Sequence, residues 1–235
     1  LVLKSKPVLR AKAKTKLGTK GLLQKRGKAL LKSKSESHGT RSAPVTKNFT
    51  EHRFTATGGT REYKLYRPQK AVGKPSPLVI MLHGCLQSPD DFAAGTGMNQ
   101  LANKLGFLVG YPAQSKSANA SKCWNWFNPA DQRRGMGEPS IIAGITSEII
   151  QNQNIDRSRV YIAGLSAGGA AAAILLETYP DIYAAAGVHS GVACGLATSM
   201  VSAFTVMKKG GTPKPRGKTK TVTRPMIIFQ GDEDN

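Results

Sequence analysis

RVYIAGLSAGGAAAAILLE (159–177) changes character at a single serine. Ahead of Ser166, Arg159–Ala163 is short, β-branched and aromatic, the composition of a buried strand. Behind it, Ala167–Thr178 is small and apolar, a helix that can lie tightly against a sheet. The junction, Gly164-Leu165-Ser166-Ala167-Gly168, reads G-x-S-x-G. A strand that turns this sharply into a helix holds the serine hydroxyl exposed above the sheet, and side chains at the flanking positions would collide across the turn. The bare helix start, Ala167-Gly168-Gly169-Ala170, leaves backbone N–H groups able to face an oxyanion. Ser166 is therefore the candidate nucleophile and the Ala167 amide a candidate oxyanion donor. The plainer alternative is a Gly-rich turn with no chemistry.

Outward from this junction the pattern alternates. His52–Thr57 and Arg61–Arg67 flank Gly58-Gly59 and read as a β-hairpin. Pro77–His83 is a continuous apolar run, as a strand buried on both faces requires. Asp90–Leu105 has helical periodicity with Phe92, Met98, Leu101 and Leu105 on one face, and Phe107–Tyr111 is the next strand. Pro139–Gln151 is a helix with an isoleucine stripe. Ala184–His189 and Met226–Phe229 are short strands on either side of a helix near Met200–Met207. A hairpin followed by repeated strand–helix units predicts an α/β fold: a mostly parallel sheet with helices on both faces. With the serine elbow in place, the α/β-hydrolase arrangement is the expected form.

That arrangement assigns further roles. Leu82-His83-Gly84-Cys85 ends the first long strand, and the loop there supplies a second oxyanion N–H; Cys85 is the expected donor, through its main chain. A triad acid belongs after a late strand, downstream of the nucleophile. Gln230-Gly231-Asp232-Glu233-Asp234 occupies that place, and Asp234 is preferred over Asp232, with a merely acidic turn as the alternative. The four histidines, His38, His52, His83 and His189, all precede the acid, whereas the order here should be Ser…Asp…His. His83 and His189 are read as structural. The expectation is that the sequence stops short of the catalytic histidine, so that the 235 residues alone would be inactive; a catalytically dead binding protein is the alternative.

The net charge of +20 is concentrated at two places. Residues 1–47 hold 14 Lys/Arg and one acid, and 208–224 hold seven Lys/Arg and no acid. The remainder is balanced at 13 against 13. The chain thus reads as a basic, disordered tail (1–47) and one α/β domain (48–235), with no specific nucleic-acid role. No apolar run approaches the ~20 residues of a membrane span. Cys85, Cys123 and Cys194 are too few and too scattered for a zinc site, and one bridge plus one free thiol is possible. No apolar core of a secretory signal is visible, although the chain begins at Leu1.

HGCLQSPDDFAAGTGMN (83–99), YPAQSKSANASKCWNWFNP (111–129), GEPSIIAGI (137–145), VYIAGLSAGGAAAAIL (160–175) and GVHSGVACG (187–195) together resemble the poly(3-hydroxybutyrate) depolymerase-type esterases over about residues 49–235. The resemblance implies a secreted serine esterase that needs no metal or cofactor and works through an acyl-enzyme on Ser166, with Asp234 as triad acid. A cytoplasmic location is the alternative. Relatives cleave polyhydroxyalkanoates, feruloyl esters or acetylated xylan, so a feruloyl or acetylxylan esterase is the runner-up and a peptidase a distant third. It also implies a Cys85–Cys123 disulfide, leaving Cys194 free. Trp124, Trp126 and Phe127 are expected either to form an apolar wall at the site mouth or to pack in the core. The basic loop 208–224 has no counterpart in the usual shorter link. The ester substrate and the oligomeric state are not legible.

Overall fold

The computed structural model describes residues 47–56, 59–69, 73–212, 223–232 and 234. The expected tail (1–47, except Lys47) and most of the basic loop (213–222) lie outside the described residues. Among the described residues, seven strands form one sheet in the order β1-β2-β4-β3-β5-β6-β7. They are β1 (Phe49–Ala56), β2 (Gly59–Tyr66), β3 (Ser76–Leu82), β4 (Leu108–Pro112), β5 (Ile155–Leu165), β6 (Ala185–His189) and β7 (Met226–Phe229). The hairpin strands β1 and β2 pair antiparallel, β2 pairs antiparallel with β4, and all remaining pairs are parallel. This is the expected mixed sheet.

Alternation along β3 assigns the helices to faces. Leu78, Ile80 and Leu82 pack with α3 (Gly137–Asn152) and α4 (Ala167–Thr178), while Met81 packs with α1 (Pro89–Thr96) and α2 (Met98–Leu105) on the other side. Burial follows: Ile141, Ile142, Ile145 and Ile149 of α3 are each at most 2% exposed. One expectation fails. Asp90–Leu105 is two helices, because Gly97 takes a left-handed φ of 62° and ends the first while starting the second. The break turns Leu101 and Leu105 to the surface, so the predicted single stripe does not exist.

The far edge of the sheet is different. All four residues of β7 are exposed, as are Met200, Val201 and Phe204 of α5 (Met200–Lys209), whose only buried residue is Ala203.

Candidate active site

The parallel register aligns the carboxyl ends of the central strands. Leu82 pairs with Gly164, Leu165 with His189, and His189 with Phe229. The segments that follow β3, β5, β6 and β7 therefore emerge side by side, where open α/β sheets bind ligands. They carry Cys85, Ser166, Ser190 and Asp234 respectively, and all four line one cavity of about 740 Å³.

Ser166 sits at φ 55°, ψ −119°, caps α4 and is exposed. Its N–H donates to the His189 carbonyl at 2.8 Å, and its carbonyl accepts the first helical bond, from the Ala170 N–H at 3.0 Å. A Cβ at Gly164 would overlap the Gly168 carbonyl, and one at Gly168 would overlap the Leu82 carbonyl. Helix and strand approach at backbone distance, as the elbow reading requires. No hydrogen bond from Ser166 Oγ is formed among the described residues.

Backbone strain collects here. Four non-glycine residues have positive φ among the described residues: Leu86, Lys122, Ser166 and Ser190. Ser166 and Ser190 line the cavity, and Leu86 and Lys122 each adjoin one half of a disulfide between Cys85 and Cys123. The bridge forms as the resemblance implied. Such conformations cost about 1–3 kcal/mol each and persist only where surrounding structure over-determines them. Here the bridge, the bond from the Leu86 N–H to the Ser121 carbonyl (2.7 Å) and that from the Ser190 N–H to the Phe229 carbonyl (2.9 Å) do so.

The three aromatics divide. Trp126 and Phe127 line the cavity, their rings 5.7 Å apart and edge to face. Trp124 does not; it is fully buried and donates its indole N–H to the His83 carbonyl at 3.0 Å. It is a core residue. The apolar lining is completed by residues that sequence reasoning missed: Val192, Leu196, Met200, Phe204 and Met207. Their signal was only their position after β6, next to the strand that leads into Ser166.

His83 is 1% exposed. Its Nε2 accepts from the Gln114 N–H (3.1 Å), which leaves Nδ1–H to donate to the Gly84 carbonyl (2.7 Å). Burial lowers its pKa, and its two ring bonds hold the Gly84–Cys85 loop in shape. Exposed His189 shares a 2.9 Å hydrogen bond between Nδ1 and Ser190 Oγ and stacks on Phe229. His52 lies in β1, bonded to Thr50 Oγ1 at 2.7 Å. None of these three imidazole rings is hydrogen-bonded to the Ser166 hydroxyl or to Asp234. Asp234 is exposed and its N–H donates to the Gly231 carbonyl at 3.3 Å; Asp232 does not line the cavity. Cys194 lies in a separate cavity under β7, and burial pushes its thiol pKa up to about 11.

The description "Esterase PHB depolymerase" belongs to the family model that matches residues 61–222. Poly(3-hydroxyalkanoate) depolymerase C of Paucimonas lemoignei is 43% identical over 140 residues, which are 60% of this chain and 34% of that protein. Feruloyl esterase B of Neurospora crassa is 35% identical over 54% of this chain and 43% of its own length. A probable acetylxylan esterase A of Aspergillus fumigatus is 34% identical over 58% and 36%. The matches thus span between a third and a half of these relatives. Among solved structures, an acetyl xylan esterase from Aspergillus awamori superposes with a TM-score of 0.65 at 23% identity, covering 76% of this chain and 71% of that one. This likeness establishes the α/β-hydrolase fold.

Proposed function

The chain belongs to the esterase PHB depolymerase family, and on that premise we propose that it is the nucleophile-bearing part of a serine carboxylic-ester hydrolase of the polyhydroxyalkanoate depolymerase type. The observation that carries the reading is the elbow: an exposed serine at strained φ, at the start of a helix, over an apolar cavity. Ser166 Oγ attacks the ester carbonyl and passes its proton to a histidine base. The carbonyl oxygen becomes an oxyanion held by the Ala167 and Cys85 amides, and the alcohol leaves to give the acyl-enzyme. Water then releases the acid by the same route in reverse. Asp234 orients the histidine and stabilises its charged form. None of the described histidines holds that place.

Trp126 and Phe127 form the wall for the acyl or alcohol part. The Cys85–Cys123 bridge favours an oxidising, extracellular setting, and no helix among the described residues is long and apolar enough to cross a membrane. A chain starting near Lys47 should keep the melting temperature and ester turnover of the full chain, compared by thermal melt and by activity. A feruloyl or acetylxylan ester is the second reading, favoured by the relatives of those names.

The test is hydrolysis of p-nitrophenyl butyrate by the natural full-length protein, with Ser166→Ala beside it. Turnover by the first and none by the second is the expected result. Equal turnover by both removes Ser166 from the mechanism.

A further inference from the structure

One buried carboxylate has no place in that mechanism. Glu138, in the first turn of α3, is 7% exposed. Its Oε2 accepts the Asn125 N–H at 2.7 Å. Its Oε1 accepts the Asn125 side-chain amide at 2.9 Å and the Gln114 side-chain amide. The Arg61 guanidinium stands 3.6 Å from the same oxygen, and the Glu138 N–H donates to Asp131 Oδ1 at 2.7 Å. Burying a carboxylate is costly, and here three N–H donors and one cation offset that cost only together.

The two amide residues lead to the site by separate routes. The Gln114 side chain also donates to the Cys123 carbonyl (3.0 Å), and its main-chain N–H donates to His83 Nε2 (3.1 Å). His83 in turn holds the Gly84 carbonyl, one peptide before Cys85. Asn125 lies two residues past Cys123, and its Oδ1 accepts from Asn119, whose own Oδ1 accepts the Cys123 N–H at 3.3 Å. Both cysteines of the bridge are thereby referred to one carboxylate. Cys85 and Cys123 also line the cavity that holds Ser166, which Glu138 does not.

We propose that Glu138 is a positioning residue for ester hydrolysis, fixing the Cys85 amide in its oxyanion-binding position through Gln114, His83 and the Cys85–Cys123 bridge. The inference rests on the esterase reading above. An acceptor is required at this point, because every group bonded to the carboxylate presents N–H. Glu138→Gln keeps the shape but turns an amide N–H₂ onto the N–H groups of Gln114 or Asn125, so the loop must shift. A preorganised oxyanion donor acts by being in place before charge develops, so a small shift lowers kcat while leaving ground-state binding intact.

The experiment uses the natural full-length protein and p-nitrophenyl butyrate, with active sites counted by fluorophosphonate titration so that unfolded molecules do not contribute. For Glu138→Gln the expected result is a fall in kcat of about 10- to 100-fold. KM should stay within about twofold, and affinity for an alkyl trifluoromethyl ketone should fall by the same factor as kcat/KM. Gln114→Leu should give a smaller loss of the same kind, and the double variant should lose little more than Glu138→Gln alone. If Glu138→Gln does not fold, Gln114→Leu carries the test. An unchanged kcat per titrated site, with only a lower melting temperature, overturns the proposal and leaves the esterase reading standing. An inert wild-type protein overturns both.

Discussion

The cavity has two walls of opposite construction. One is built from β3, β5, α4 and the Cys85–Cys123 bridge: Leu82, Ile162 and Leu175 are at most 1% exposed, and strained Ser166 is held by bonds from both sides. The other is built from α5 and the loop after β7, where Phe204 is 64% exposed and Gln230 and Asp234 are exposed as well. The first wall carries Ser166, Ala167 and Cys85; the second carries Asp234 with Met200, Phe204 and Met207. The difference teaches where strain can be stored. A positive φ at a serine survives only where close packing leaves the chain no cheaper alternative. An exposed helix and edge strand can offer apolar surface, yet they can tolerate substitution and movement.

Substitutions should separate the walls. The largest effect is Ser166→Ala, which should lower turnover by at least about 10³-fold in the natural full-length protein. Replacing both Cys85 and Cys123 by serine removes a cross-link spanning 38 residues and should cost about 4 kcal/mol in denaturant unfolding. A loss under about 1 kcal/mol would mean that the first wall does not depend on the bridge. Ile145→Ala, at a fully buried position behind that wall, should cost about 2–5 kcal/mol. Phe204→Ala in the second wall should stay within about 0.5 kcal/mol. Comparable losses at Ile145 and Phe204 would erase the contrast.

The smallest effect is in pH dependence. Burial, the largest influence on Glu138, holds its pKa above the ordinary carboxylate value, and the bonds from Gln114 and Asn125 counter this only in part. The folded state therefore binds that proton more tightly than the unfolded state. The stability it contributes is complete below the ordinary carboxylate pKa and is lost as pH rises through the raised one. Melting temperatures of Glu138→Gln should lack that decline, and identical pH profiles for the two proteins would contradict it.

The first wall was the legible one. G-x-S-x-G between an apolar strand and an alanine-rich helix prescribes its own geometry, since the elbow is set by residues adjacent in sequence. The mostly parallel sheet with its leading hairpin followed from the alternation of elements, and the Cys85–Cys123 pairing from the family likeness. Gly97 escaped because an isolated glycine inside a helical pattern does not announce whether it breaks the helix. Trp124 and Trp126 are two residues apart, and nothing local says that one would be sealed under His83 while the other faces the cavity. Glu138 was silent for the same reason: an acid in a first helical turn already has a local explanation in the helix dipole. Its partners Gln114 and Asn125 come from a different segment, and only the folded chain brings them together.

Central to the account is that Ser166 carries the acyl group. Treating the natural full-length protein with an alkyl fluorophosphonate and mapping the adduct by peptide mass spectrometry tests this directly. One phosphonyl group is expected, on the peptide containing Ser166, and none in Ser166→Ala. An adduct on Ser190, which lines the same cavity, or an unmodified Ser166 in an actively hydrolysing protein would contradict it.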